Sequence, residues 1–149
     1  MFYDRNQNIM LNSTQQISEF MKLLHDYLEK NPKTGYIVFQ VFQESAIEGR
    51  LPVANAIVTV NKYIGDGYFV SKVVFTDSDG KTDPIPFYTT DREYSMTPGS
   101  NHAYETYSAR IESPDFITTD IFDIQIFDGI TGIQSVVLSP KRDSNSLNL

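Results

Sequence analysis

The feature that most limits the fold of this chain is a change in hydrophobic period after residue 35. From there, apolar residues recur at every second position in short runs, and turn signals such as Asp77-Ser78-Asp79-Gly80 and Asp128-Gly129 separate these runs. A period of two places alternate side chains on one face of a strand. Short strands with turns between them are typical of an antiparallel sandwich. The sequence therefore predicts a mainly β fold, an antiparallel sandwich of about seven strands.

The predicted strands lie between residues 36 and 138. The run at 36–42 is apolar on both faces, and the runs at 56–63 and 68–75 predict a hairpin around Gly65-Asp66-Gly67. In the run at 116–127, Phe122, Ile124 and Ile126 alternate with two polar residues, which predicts one buried and one solvated face. The remaining runs lie at 84–88, 106–111 and 133–138.

The N-terminal segment has a helical period instead. Asn12 or Ser13 is suited to the N-cap, Gln16 completes a capping box with Ser13, and Asn31-Pro32 ends the helix. The helix carries one apolar stripe, which consists of Ile17, Phe20, Met21, Leu24 and Leu28. This stripe packs either on the chain's own sandwich or on a neighbouring subunit. We expect it to form at least part of an oligomer interface, because a free helix of this length is marginal in water.

Composition excludes several classes of function. The formal net charge is −7, so phosphate backbones are repelled and nucleic-acid binding is disfavoured. Cysteine is absent, which excludes disulfides and thiolate chemistry. The N-terminus does not read as a signal peptide, and no stretch reaches the length of a membrane span. We therefore expect cytoplasmic synthesis and no membrane insertion. The expected organisation is a helical extension at 1–34, a sandwich at 35–140 and a polar tail at 141–149.

Several short motifs in the sandwich region occur in a fixed order. They are Pro52-Val53 with Ala56, Thr76-Asp77 with Gly80, Tyr94-Ser95 with Pro98-Gly99, Tyr104 with Tyr107, Ile126-Phe127 with Gly129, and Leu138 with Pro140. In this order the region at 35–140 resembles the carboxypeptidase regulatory-like domain, a transthyretin-like sandwich, in the form found in clostridial spore and peptidoglycan-associated proteins. Pro114-Asp115-Phe116 and Asn55 depart from the family pattern, which affects loop shape.

The resemblance implies a rigid module without catalysis of its own, associated with peptidoglycan or with a spore. The residues agree with that expectation. Histidine occurs at His25 and His102, and neither stands in a motif for nucleophilic catalysis. We therefore expect that the chain is not an enzyme and needs no cofactor.

Two further groups of residues are candidates for binding. Asp77 and Asp79 stand on a turn and could hold Ca²⁺, although an ordinary Asx turn explains them as well. Tyr94, Tyr104 and Tyr107 lie in or beside a Pro/Gly loop, where rings with polar tips could form a sugar platform or could belong to the core.

The expected function follows from these observations. The first hypothesis is a structural or assembly module that joins copies of itself, or a larger envelope or particle, through its helix and edge strands. The alternative is an accessory module that binds peptidoglycan or another glycan through the three tyrosines.

Overall fold

The fold is seen in a computed structural model, which describes residues 2–65, 68–93 and 104–142. Side chains are described for these ranges except in residues 2–13 and at Tyr68. The described part contains one helix followed by eight strands. These are α1 (Phe2–Lys30), β1 (Lys33–Ser45), β2 (Gly49–Pro52), β3 (Ile57–Gly65), β4 (Tyr68–Phe75), β5 (Ile85–Thr89), β6 (Glu105–Glu112), β7 (Thr119–Ile126) and β8 (Thr131–Leu138).

The strands form two four-stranded sheets. In sheet 1, β8 pairs with one edge of β1, while β5 and β2 pair with two successive stretches of the other edge. In sheet 2 the order is β4-β3-β6-β7, and every neighbouring pair is antiparallel. The predicted fold class, a mainly β sandwich with an N-terminal helix, is therefore confirmed.

The core lies between the two sheets and is built from alternate positions of the strands. Phe39 and Val41 of β1 are fully buried, as are Val58 of β3 and Ile111 of β6. Leu138 of β8 is 1% exposed. Alternation explains this arrangement, because every second side chain of a strand points to the same face.

One strand pairing differs from the antiparallel pattern that the sequence predicts. β1 and β8 are parallel over eight residue pairs, from Tyr36↔Thr131 to Gln43↔Leu138. Parallel strands need a long connection, and here the six strands from β2 to β7 lie between them in the chain. The short strand β2 lies between the predicted runs at 36–42 and 56–63, where no strand is predicted.

The helix ends where the sequence predicts but begins earlier. Its last residue is Lys30, and both the backbone N–H and the side-chain amide of Asn31 donate to the carbonyl of Tyr27. The helix begins at Phe2, so the prediction of an N-cap at Asn12 or Ser13 is wrong. Asn and Ser lower helix propensity by well under 1 kcal/mol each, and no Gly or Pro precedes them to stop the helix.

The C-terminal half of α1 packs on the chain's own sandwich. Tyr27 is buried in the core, and Leu28 packs against it. A Cβ atom built on Gly65 of β3 would lie 2.6 Å from a methyl carbon of Leu23, so the glycine allows the helix to approach closely. Leu24 and Tyr27 of the helix line a small cavity together with residues of β4 and β5.

Candidate binding surfaces

A β-bulge in β7 decides which residues face solvent on sheet 2. Tyr107 pairs with Ile124 and Ala109 pairs with Ile121, so two residues of β7 stand opposite Ser108 of β6. The bulged residue Asp123 has a φ of 58°, a conformation that Asp tolerates better than most residues. The bulge interrupts the alternation along the strand.

The predicted buried face of this strand is therefore partly wrong. Ile124 and Ile126 are buried as expected, but Phe122 is 71% exposed. The extra residue reverses the side on which Phe122 projects, and places its ring on the outer face of sheet 2. A bulge of this kind leaves little signal in a sequence, because Phe-Asp-Ile fits a regular strand equally well.

Phe122 contributes to a groove on the outer face of sheet 2. The groove has a volume of about 420 Å³ and crosses the strands β4, β3, β6 and β7. Its lining combines exposed aromatic rings with polar side chains. The rings are Tyr63, Phe69 and Phe122. The polar residues are Thr59, Asn61, Ser108, Arg110, Glu112 and Asp120, and Ala109 completes the lining. We call this surface the sheet-2 groove.

An ion pair forms part of the lining of the sheet-2 groove. The guanidinium of Arg110 donates from Nε and Nη2 to the two carboxylate oxygens of Asp120, at 2.8 and 3.2 Å. This bidentate contact holds the pKa of Asp120 below its ordinary value and raises that of Arg110. Both groups are thus charged at neutral pH and fixed with respect to each other.

A second exposed surface lies on the outer face of sheet 1. Val38 and Ile133 stand side by side on β1 and β8, and Phe42 and Val137 stand side by side further along the same strands. Ile133 is 65% exposed and Val137 is 40% exposed. We call these four residues, together with Tyr36, the sheet-1 apolar face.

Strand β8 borders this face and has a neighbouring strand on one side only within the described part of the chain. Its sequence, TGIQSVVL, contains no charged residue and no proline. Loop residues cover the end of its free edge, where Ile117 donates to the carbonyl of Ser139. The rest of this edge presents backbone groups that another strand could pair with.

The other edge strands carry features that oppose pairing. Strand β7 contains Asp120, Asp123 and the bulge, while β5 contains Pro86 and β2 contains Arg50. Helix α1 lies beside β4, where Leu24 and Lys72 line the same small cavity of about 110 Å³. Charges, proline, bulges and covering helices are the devices that protect sheet edges, and β8 has the weakest protection of the described edges.

Helix and sandwich are joined by a chain of hydrogen bonds between phenols. The hydroxyl of Tyr107 donates to the backbone carbonyl of Tyr88 at 2.7 Å, and it also bonds to the hydroxyl of Tyr27. Burial raises the pKa of Tyr107 to about 12 and raises the pKa of Tyr27 further still. Both phenols are therefore neutral over the physiological range.

The three candidate sugar-binding tyrosines have different surroundings. Tyr107 is 6% exposed, so its ring belongs to the core. Tyr104 is 37% exposed, and its ring lies 5.3 Å from that of Phe127. Tyr94 lies outside the described residues. Because Tyr107 is buried, its ring cannot take part in an exposed platform with the other two tyrosines.

The stripe of the helix divides into two parts. Ile17 and Met21 are 65% and 57% exposed, whereas Phe20 and Leu24 are half-buried, as is Leu28. The chain's own sandwich therefore covers the C-terminal part of the predicted oligomer interface. Ile17 and Met21 remain available to a neighbouring molecule.

The acidic turn has the geometry of an Asx turn. One carboxylate oxygen of Asp77 accepts hydrogen bonds from the backbone N–H groups of Asp79 and Lys81, at 2.8 and 3.0 Å. Within the described ranges, no group of three His, Asp or Glu side chains is close enough to hold a metal ion. Nor does that part of the chain contain a helix of the length and apolarity needed to span a bilayer.

Comparisons with known proteins give little further information. No family model and no curated protein matches the chain. One solved structure that it resembles is chlorocatechol 1,2-dioxygenase from Pseudomonas putida, with 11% identity and a TM-score of 0.39. The similarity covers 73% of this chain and 61% of the dioxygenase, so the chain matches less than two thirds of that protein.

This comparison corrects the expectation that the chain is not an enzyme. The protein in the solved structure is named a dioxygenase, an enzyme, and fold alone does not decide whether a chain is catalytic. The similarity is too weak to assign an activity to this chain.

Proposed function

We propose that the chain is a structural or assembly module that self-associates through the free edge of β8 and the sheet-1 apolar face. The observation that carries this proposal is that the edge strand Thr131–Leu138 is uncharged and that two of its side chains, Ile133 and Val137, are exposed. An unprotected apolar edge favours pairing with another strand. Most soluble oligomers are symmetric dimers, in which the same surface of both copies forms the interface.

The energetics of the surface support this proposal. Backbone groups on the free edge of β8 gain partners when a second β8 pairs with it, and neighbouring apolar side chains leave water at the same time. Burial of apolar area stabilises a complex by about 25 cal/mol per Å² before the entropic costs of association. A charge in this face would have to be desolvated, whereas Ile133 and Val137 carry none.

The hydrogen-bond pattern of β8 suggests a variant that blocks its edge. Tyr36 donates to the carbonyl of Ile130 and pairs in register with Thr131, so even-numbered residues of β8 bond to β1. The N–H of Ser135 consequently points to the free edge. Ser135→Pro removes this donor without removing a bond to β1, which is the position that proline tolerates in a sheet.

The test is the mass of the protein in solution, measured by light scattering over a range of concentrations. Wild type is expected to be oligomeric, while Ser135→Pro and Ile133→Lys are expected to have the monomer mass with an unchanged circular dichroism spectrum. Ile47→Lys is the control, because Ile47 is 94% exposed in the turn between β1 and β2. A monomeric wild type, or an oligomer that persists in folded Ile133→Lys, would refute the proposal.

The transthyretin-like resemblance and the spore association that it implies stay predictions. They agree with an assembly module, because a spore envelope is a particle built from many protein copies. Extraction of isolated spores, followed by detection with an antibody against this chain, tests that association directly. Absence of the chain from every spore layer would contradict it.

A further inference from the structure

We infer that the sheet-2 groove binds a short neutral saccharide. This inference is independent of self-association, because the groove lies on the sheet opposite the β8 edge and the sheet-1 apolar face. It also differs from the platform of Tyr94, Tyr104 and Tyr107 that the sequence suggests, since neither Tyr104 nor Tyr107 lines the groove.

The walls of the groove are aromatic. Tyr63 and Phe69 stand opposite each other on β3 and β4, with ring centroids 5.6 Å apart and ring planes inclined by 56°. Phe122 stands on β7, which is two strands away from β3 and thus about 10 Å away at ordinary strand spacing. The three side chains are 69%, 51% and 71% exposed, so their faces are open to a ligand.

The floor of the groove is polar between these rings. Asn61 and Ser108 are paired neighbours on β3 and β6, and Thr59 and Arg110 are the next outward-facing pair on the same strands. Within the described part of the chain, the side-chain amide of Asn61 makes no hydrogen bond, whereas the hydroxyl of Ser108 donates to the backbone carbonyl of Asn61 at 3.5 Å. The amide therefore has both its donor and its acceptor free for a ligand.

The net charge of the groove disfavours anions. Asp120 neutralises Arg110 through their bidentate pair, and Glu112 adds one negative charge beside them. An anionic ligand would meet a net negative charge, and a purely apolar ligand would leave the amide of Asn61 without a partner. A neutral ligand with hydroxyl groups satisfies the polar floor without this cost.

A saccharide matches both parts of this surface. One face of a pyranose ring presents C–H groups, which pack on an aromatic ring, while the equatorial hydroxyls bond to planar amide and carboxylate groups. Sites for small ligands combine such apolar walls with a few placed polar groups, and their volumes are about 300–1,000 Å³. The groove volume of about 420 Å³ lies within this range.

The inference is tested by titrating isotope-labelled protein with chitotriose, cellotriose and maltotriose, and by following backbone amide shifts by NMR. The host is Ile133→Lys, so that self-association does not interfere. At least one trisaccharide is expected to shift the amides of Asn61, Ser108 and Phe122. The anionic trisaccharide of galacturonic acid is expected to bind at least tenfold more weakly than that neutral ligand.

Variants then assign the binding to the rings. Tyr63→Ala and Phe122→Ala are each expected to weaken binding roughly fivefold to tenfold, which corresponds to the binding free energy of one aromatic contact. Tyr88→Ala, which removes an exposed ring from β5 of the other sheet, is the matched control and should bind like the host. The inference fails if no neutral trisaccharide causes shifts at about 10 mM, well above a millimolar dissociation constant. Shifts that map outside the groove, or affinity that is unchanged in folded Tyr63→Ala and Phe122→Ala, would also overturn it.

Discussion

The hydroxyl of Tyr27 donates its proton to the hydroxyl of Tyr107, and this bond connects the helix to the sandwich. The direction follows from the second bond of Tyr107, whose own proton goes to the carbonyl of Tyr88. A phenol has one proton to donate, so Tyr107 must be the acceptor toward Tyr27. The two tyrosines therefore have unequal roles, and their variants should differ.

Tyr27→Phe should lower the free energy of unfolding by about 1 kcal/mol, because it removes one hydrogen bond and leaves Tyr107 bonded to Tyr88. Tyr107→Phe should lower it by about 2–3 kcal/mol, because it leaves both the Tyr27 hydroxyl and the Tyr88 carbonyl without this partner. Urea denaturation measures both values, with Tyr36→Phe as an exposed control. Equal losses in the two variants would contradict this assignment of donor and acceptor.

The same two phenols should make the protein sensitive to alkali. The unfolded chain ionises its tyrosines near pH 10, whereas burial raises the pKa of Tyr107 to about 12 in the folded state. The contribution of neutral Tyr107 is fully present below about pH 10 and is lost as the pH rises toward 12, by about 2–3 kcal/mol. Tyr27 shifts in the same direction, through burial and its bond to Tyr107.

Unfolding free energies measured from pH 8 to pH 11.5 should therefore fall steeply above pH 10. The fall should be smaller in Tyr27→Phe, in which one of the two buried phenols is absent. An identical pH profile in wild type and Tyr27→Phe would mean that Tyr27 does not contribute to this sensitivity.

The two halves of the helix stripe should respond differently to truncation. Leu28 packs against the core, so Leu28→Ala should cost about 2 kcal/mol, whereas Ile17→Ala should change stability by less than about 0.5 kcal/mol. Denaturation at low protein concentration, where a monomer dominates, measures both variants. If Ile17→Ala lowers the stability of the protein at high concentration, a second molecule covers the exposed half of the stripe, as predicted from the sequence.

Two glycines with the same backbone conformation provide a matched comparison. Gly49 and Gly80 have φ values of 74° and 75°, but a Cβ on Gly80 would lie 2.5 Å from the carbonyl oxygen of Val41, and one on Gly49 would meet nothing within 4 Å. Each change to Ala introduces strain of about 1 kcal/mol. Gly80→Ala should cost roughly 1–3 kcal/mol more, because the backbone of β1 must move. Thermal and urea denaturation of both variants decide this, and equal costs would contradict the close packing at Gly80.

Periodicity predicted much of the sandwich because its strands have one buried face. The hairpin of β3 and β4 lies within two residues of the predicted runs at 56–63 and 68–75, and Val58 and Val60 are buried as their spacing requires. The end of the helix at Lys30 followed from Asn31-Pro32, a signal that acts locally.

The candidate site was harder to predict, because it depends on relationships between distant segments. The parallel pairing of β1 with β8 joins the beginning and the end of the sandwich. The hydrophobic period of a strand does not indicate which other strand it pairs with. Likewise, the sheet-2 groove needs Tyr63 and Phe122 on the same outer face, and the bulge at Asp123 decides this. The three tyrosines near the Pro/Gly loop are candidates for a binding site because they are close in sequence, but Tyr107 is buried and does not reach solvent.

The bulge in β7 also has a consequence for how this surface could change through substitution and deletion. The bulge keeps the ring of Phe122 outside, so its orientation depends on the pairing register of the strand. Loss of the bulge at constant strand length would pair Phe122 with Ala109 and turn its ring toward the interior, whereas deletion of Asp123 would place Phe122 opposite Ser108 and keep the ring outside. The aromatic wall therefore depends on a residue at position 123 that accepts a positive φ, so a β-branched residue there threatens the orientation of Phe122 more than a deletion does.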